Sequence, residues 1–79
     1  MPNLIKSLVR DNIHYTFLFR EINIPEAKKY FVTAFDKVAN KEVFEMKQND
    51  RGQWYIVPPM PEWAKTFEAE LKEILTYEG

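Results

Sequence analysis

Along residues 13–22 (IHYTFLFREI), aromatic and branched side chains alternate with polar ones at a period of two, the signature of a strand. Ile13, Tyr15, Phe17 and Phe19 form one side, and His14, Thr16 and Arg20 the other, with Leu18 an apolar exception among them. Residues 43–48 (VFEMKQ) alternate as cleanly, with Phe44 and Met46 expected inward and Val43, Glu45 and Lys47 outward. Residues 53–57 (QWYIV) return after Asn49-Asp50-Arg51-Gly52, whose residue types suit a tight turn. From Pro61 to Tyr77 the period changes to 3.6. Trp63, Ala64, Phe67, Leu71, Ile74 and Leu75 share one face of a helix, and Pro61 suits its first position. Glu68 and Lys72 stand four apart in the favourable orientation for an ion pair.

Two stretches fit more than one period. Residues 27–40 place Ala27, Tyr30, Phe31, Ala34, Phe35 and Val38 at helical spacing, yet Tyr30-Phe31-Val32-Thr33 is a strong strand-forming run. A strand over residues 29–36 is the reading adopted, with Phe31 and Phe35 inward and the helix as its alternative. Residues 3–10 (NLIKSLVR) read as a short helix or irregular arm, because Leu4, Ile5, Leu8 and Val9 share a helical face behind Asn3. An edge strand turning at Arg10-Asp11-Asn12 is the other reading. The expected fold is therefore α+β: a four-stranded antiparallel β-meander with one C-terminal amphipathic helix packed on one face, preceded by a short N-terminal arm or helix. All of residues 1–79 form one domain in this reading.

That architecture leaves the second face of the sheet open. The apolar residues not assigned inward include Leu18, Tyr30, Val32, Val43, Tyr55 and Val57, and these six form a candidate partner-binding patch. Folding of the N-terminal arm across the same face is the competing expectation.

Composition narrows the chemistry. There is no cysteine, so disulfides, thiolate metal sites and a catalytic thiol are excluded, and six Phe, four Tyr and two Trp supply the core instead. With two glycines the chain holds no glycine-rich phosphate loop. His14 is the single histidine, on the polar side of a strand, without a sequence partner to make it a base. Glu42, Glu45 and Asp50 read as solvated sheet and turn residues rather than as an acid–base or metal cluster. Pro58-Pro59-Met60-Pro61 matches the P-x-x-P spacing, but between strand and helix it reads as a stiff connector. An enzyme is not expected, and no cofactor is implied.

Net charge is −1, distributed unevenly: residues 1–60 carry nine Lys/Arg against seven Asp/Glu, and residues 61–79 two against five. That balance disfavours nucleic acid, although Tyr30 and Tyr55 with Arg20 and Lys47 make single-strand binding the alternative function. The longest apolar run has four residues, Trp54 to Val57, so no membrane span is expected. No signal-peptide pattern opens the chain, and a cytoplasmic location is the default. The leading functional expectation is a small protein-interaction or self-associating module that works through the open sheet face.

Overall fold

The first hairpin explains most of the architecture. In the computed structural model, which describes residues 3–25, 27–36, 38 and 40–78 and leaves aside the side chains of Ile24 and Ala27, strand β1 (Asn3–Arg10) pairs antiparallel with β2 (Ile13–Ile24). The two-residue connection has φ of 54° at Asp11 and 62° at Asn12. Two successive positive φ values give the turn whose twist matches a hairpin, and Asp and Asn are among the few residues that adopt them at little cost. Residues 3–10 are thus a strand, not the helix or arm expected. Their face of Leu4, Ile5, Leu8 and Val9 fits a helix only when the turn that follows is ignored.

Strands β3 (Ala27–Phe35), β4 (Lys41–Gln48) and β5 (Trp54–Val57) complete an antiparallel sheet in the order β1-β2-β3-β4-β5. The meander has five strands rather than four. Residues 27–35 are strand, against the helical alternative. Asp36 organises the β3–β4 connection: its carboxylate accepts hydrogen bonds from the Val38 and Asn40 amides at 3.0 Å and from Asn40 Nδ2 at 3.2 Å. Desolvation works to raise the Asp36 pKa, but these Asn40 and Val38 bonds outweigh it and hold the carboxyl below its usual range. In the β4–β5 turn, the Asn49 side chain accepts from the Arg51 and Gln53 amides, and Gly52 takes φ of 77°.

The C-terminal helix is broken. Helix α1 (Glu62–Lys65) has Pro61 at its N-cap, and α2 (Glu68–Glu78) starts after a tight turn at Thr66 and Phe67. The Thr66 and Phe67 amides bond to the carbonyls three residues back, on Trp63 and Ala64. The turn leaves the Thr66 carbonyl free to accept from Arg10 Nη1 at 3.1 Å. Arg10 also pairs with Glu70 and lies 4.3 Å from the Phe67 ring centroid, so the end of β1 is clamped to the helix break. Lys6 reaches Glu78 at 2.6 Å, further along α2. At the opposite edge the Ile56 amide donates to Glu68 Oε2 at 3.2 Å, which closes that position of β5 to another strand. Glu68 therefore serves the sheet edge, and among the described residues it forms no ion pair with Lys72, the partner its spacing suggested.

The core lies between the helices and one sheet face. Phe17, Phe19, Phe44, Met46, Trp54 and Ile56 meet Ala64, Phe67, Leu71 and Leu75, with Trp63 and Ile74 packed at its margin. The predicted helical stripe is all used. Phe67 sits edge-on to Phe17 and Tyr15, at 5.2 and 4.9 Å between centroids, and Tyr15 stacks on Trp63 at 5.1 Å. Among the described residues, no helix is long and apolar enough to cross a membrane.

One assignment in β3 is reversed. Tyr30 and Val32, expected on the open face, are buried at 2 % and 0 % exposure, whereas Phe31 and Phe35 turn outward and are only partly covered. Residues directly opposite in an antiparallel pair share a face. Val32 faces both Phe19 and Phe44, and Tyr30 faces Met46, so the inward aromatics of β2 and β4 carry them inward. Tyr30 also packs edge-on against Trp54, at 5.3 Å, and Phe19, at 6.3 Å. Burial, aided by the facing Glu21 carboxylate, raises its pKa.

Candidate interaction face

The sheet surface away from the helices is built by the alternate residues of all five strands. Register arranges them in rows. Ile5, Leu18, Thr33 and Val43 form one row across β1 to β4, and Asn3, Arg20, Phe31, Glu45 and Val57 form the next across all five strands. A third runs Ile22, Lys29, Lys47 and Tyr55, and a fourth joins Ser7, Thr16, Phe35 and Lys41. Leu18, Val43, Tyr55 and Val57 thus stand on the open face as the sequence suggested. Tyr30 and Val32 leave it for the core, and Ile5, Val9, Phe31 and Phe35 join it. The N-terminal segment does not fold across this surface but extends it by one strand.

The middle of the face is concave and apolar. A depression of about 230 Å³ is lined by Leu18, Arg20, Phe31, Thr33 and Val43. A second, of about 300 Å³, shares Phe31 and Val43 and continues past Glu45 and Val57 to Pro58 and Pro59. Together they make a shallow groove across the strands. Val43 is 55 % exposed at its centre.

The charged rim is unbalanced. Among the described residues, Arg20, Lys29, Lys41 and Lys47 lie on this face, against the single carboxylate of Glu45. Lys29 stands directly opposite Lys47, a like-charge pairing that costs a sheet stability in isolation. Lys29 is partly compensated, at 3.5 Å from Glu45 and 5.4 Å from the Phe31 ring centroid. Among the described residues, Arg20, Lys41 and Lys47 have no carboxylate partner. The helix layer has the opposite sign, five Glu against two Lys over residues 61–79.

Sequence reasoning missed Phe31, Phe35, Ile5 and Val9 as members of this face. The signal that places them is the shortness of the connections, because two residues link the paired Arg10 and Ile13, and two link Ile24 and Ala27. Such turns set the phase of the strand that follows. His14 is exposed on the same face opposite Val9, away from the groove. Among the described residues no group of three or more His, Asp or Glu is arranged to hold a metal ion. Comparison with protein-family models, with curated proteins and with solved structures finds no match to this chain.

Proposed function

We propose that the chain is a non-enzymatic interaction module whose open sheet face docks a partner protein through an amphipathic helix with acidic flanks. The observation that carries this reading is the Lys29–Lys47 pair, at the rim of an apolar groove and supplied, among the described residues, with one nearby carboxylate, Glu45. Carboxylates from a partner would complete what Glu45 begins. A helix is the element that covers the other face of this sheet, and the groove offers it Leu18, Phe31, Val43 and Val57 as apolar contacts. Five strands at about 4.8 Å spacing give a footprint of roughly 600 Å², so both partners together would bury on the order of 1,200 Å², the lower end of specific interfaces. Charge argues against a second copy packed face to face, since the described residues of each would bring four cations and one carboxylate to the same interface.

The test is a titration of isotope-labelled protein, followed by amide chemical shifts, with three probes. These are a designed leucine/glutamate amphipathic peptide, its lysine counterpart, and a single-stranded oligodeoxynucleotide. The acidic peptide should perturb Leu18, Phe31, Val43 and Val57, and Lys47→Glu or added salt should weaken it several-fold. Equal binding of the lysine peptide, or no perturbation of the face by the acidic one, overturns the proposal. Oligonucleotide binding at the same residues, lost with salt and without any acidic-peptide binding, would replace it with single-strand recognition by Phe31, Phe35 and Tyr55.

A further inference from the structure

The two edges of the sheet are treated differently. At β5, a strand of four residues runs into Pro58 and Pro59, and the Ile56 amide is occupied by Glu68. At β1, eight residues without proline or bulge pair with β2 alone. Its charged side chains do not guard it, because Lys6 and Arg10 turn toward the helix layer to meet Glu78 and Glu70.

The hairpin fixes which main-chain groups of β1 are unspent. In a two-residue hairpin the closing pair exchanges both of its main-chain hydrogen bonds, and every second pair repeats the pattern. Arg10 and Ile13 are the closing pair, so Leu8, Lys6 and Leu4 also bond to β2. Asn3, Ile5, Ser7 and Val9 then direct their N–H and C=O groups away from the sheet. The side chains of Ile5 and Val9 are 67 % and 54 % exposed.

We infer that β1 pairs antiparallel with β1 of a second copy about a two-fold axis at Ser7, joining two sheets into one of ten strands. Opposed residues must share a face, which restricts the registers to those pairing odd positions with odd and even with even. The register centred on Ser7 places Ile5 opposite the partner's Val9, and Val9 opposite the partner's Ile5, so both exposed apolar side chains gain a cross-strand neighbour. It also sets Lys6 opposite the partner's Leu8. The register centred on Lys6 would put two ammonium groups face to face. The three outward pairs of the Ser7 register exchange about six main-chain hydrogen bonds. An isologous contact of this kind closes at two copies, because the β5 edge is short and partly occupied. The two open faces lie on the same side of the joined sheet.

Pairing at the β1 edge does not depend on what docks on the face. Its test is absolute mass by light scattering across a hundredfold range of concentration, with amide hydrogen exchange at both ends of the range. The mass should rise from 9.5 kDa toward twice that value, and the amides of Ile5, Ser7 and Val9 should become protected in step with it. Ser7→Pro removes an outward donor without breaking the β1–β2 ladder, and it should leave a folded monomer. Ile5→Lys combined with Val9→Lys sets like charges opposite each other at two exposed positions, and, read against Val43→Glu as the control for the face, it decides the matter should Ser7→Pro fail to fold. A parent that stays monomeric throughout overturns the inference. So does a dimer that survives the lysine pair but is lost in Val43→Glu, because such a dimer forms through the face.

Discussion

Val32 and Val43 are the same residue type on neighbouring strands, with opposite fates, and the contrast gives a direct test of the register. Val32 is wholly buried between Phe19 and Phe44, and Val43 is 55 % exposed on the other face. Val32→Ala removes two buried methyl-sized groups at about 0.8 kcal/mol each, and the residual cavity brings the loss to about 2–3 kcal/mol. Val43→Ala removes groups still largely in water and should cost about 0.5 kcal/mol, part of it lost strand preference. The predicted difference is therefore about 2 kcal/mol. A chain of this size has a total stability of roughly 4–12 kcal/mol, so the difference is a large share of it. Urea unfolding followed by tryptophan fluorescence reads it. With a slope of about 1 kcal/mol per molar, Val32→Ala should lower the midpoint by about 2 M more than Val43→Ala at an unchanged slope. Equal shifts, or a larger one for Val43→Ala, would refute the assignment of Val32 to the core and of Val43 to the groove.

Two further perturbations probe the clamp and the buried tyrosine. Arg10→Met removes the hydrogen bond to Thr66, the pairing with Glu70 and the contact with the Phe67 ring. Discounted for the half-exposed setting of Arg10 and Glu70, the loss should be about 1–2 kcal/mol, or about 5–10 °C in Tm, while exposed Arg20→Met stays within about 0.5 kcal/mol. A Tm unchanged by Arg10→Met would mean that these contacts do not clamp β1 to the helix break. For Tyr30, burial first and Glu21 second raise the pKa, so the folded state retains a proton that the unfolded chain releases at about pH 10. The corresponding stability is present below that pH and declines as pH rises through the unfolded value toward the raised folded one. Stability measured in urea between about pH 8 and 11 should therefore fall more steeply in the parent than in Tyr30→Phe. Identical slopes would mean that Tyr30 ionises freely.

By itself the sequence determined the class of fold and most of its core. The strands at 13–22 and 43–48 and the helical stripe from Trp63 to Leu75 were legible because their polar and apolar positions alternate at a single period, and 53–57 because it returns after the Asn49-Asp50-Arg51-Gly52 turn. Even the helix break leaves that stripe intact. Two things were decided only by tertiary structure. Residues 3–10 are too short for periodicity to separate strand from helix, and pairing with β2 through the Asp11–Asn12 turn settles them. In β3 the run Tyr30-Phe31-Val32 is apolar on both sides, so alternation alone does not say which side faces inward. The neighbours decide: Phe19 and Phe44 stand opposite Val32, and a shift of one residue would exchange the two sides completely. The composition of the open face follows from that choice. Phe31 lines the groove and Tyr30 lies in the core because cross-strand register, a non-local property, outweighs the local pattern that the chain carries in its residues.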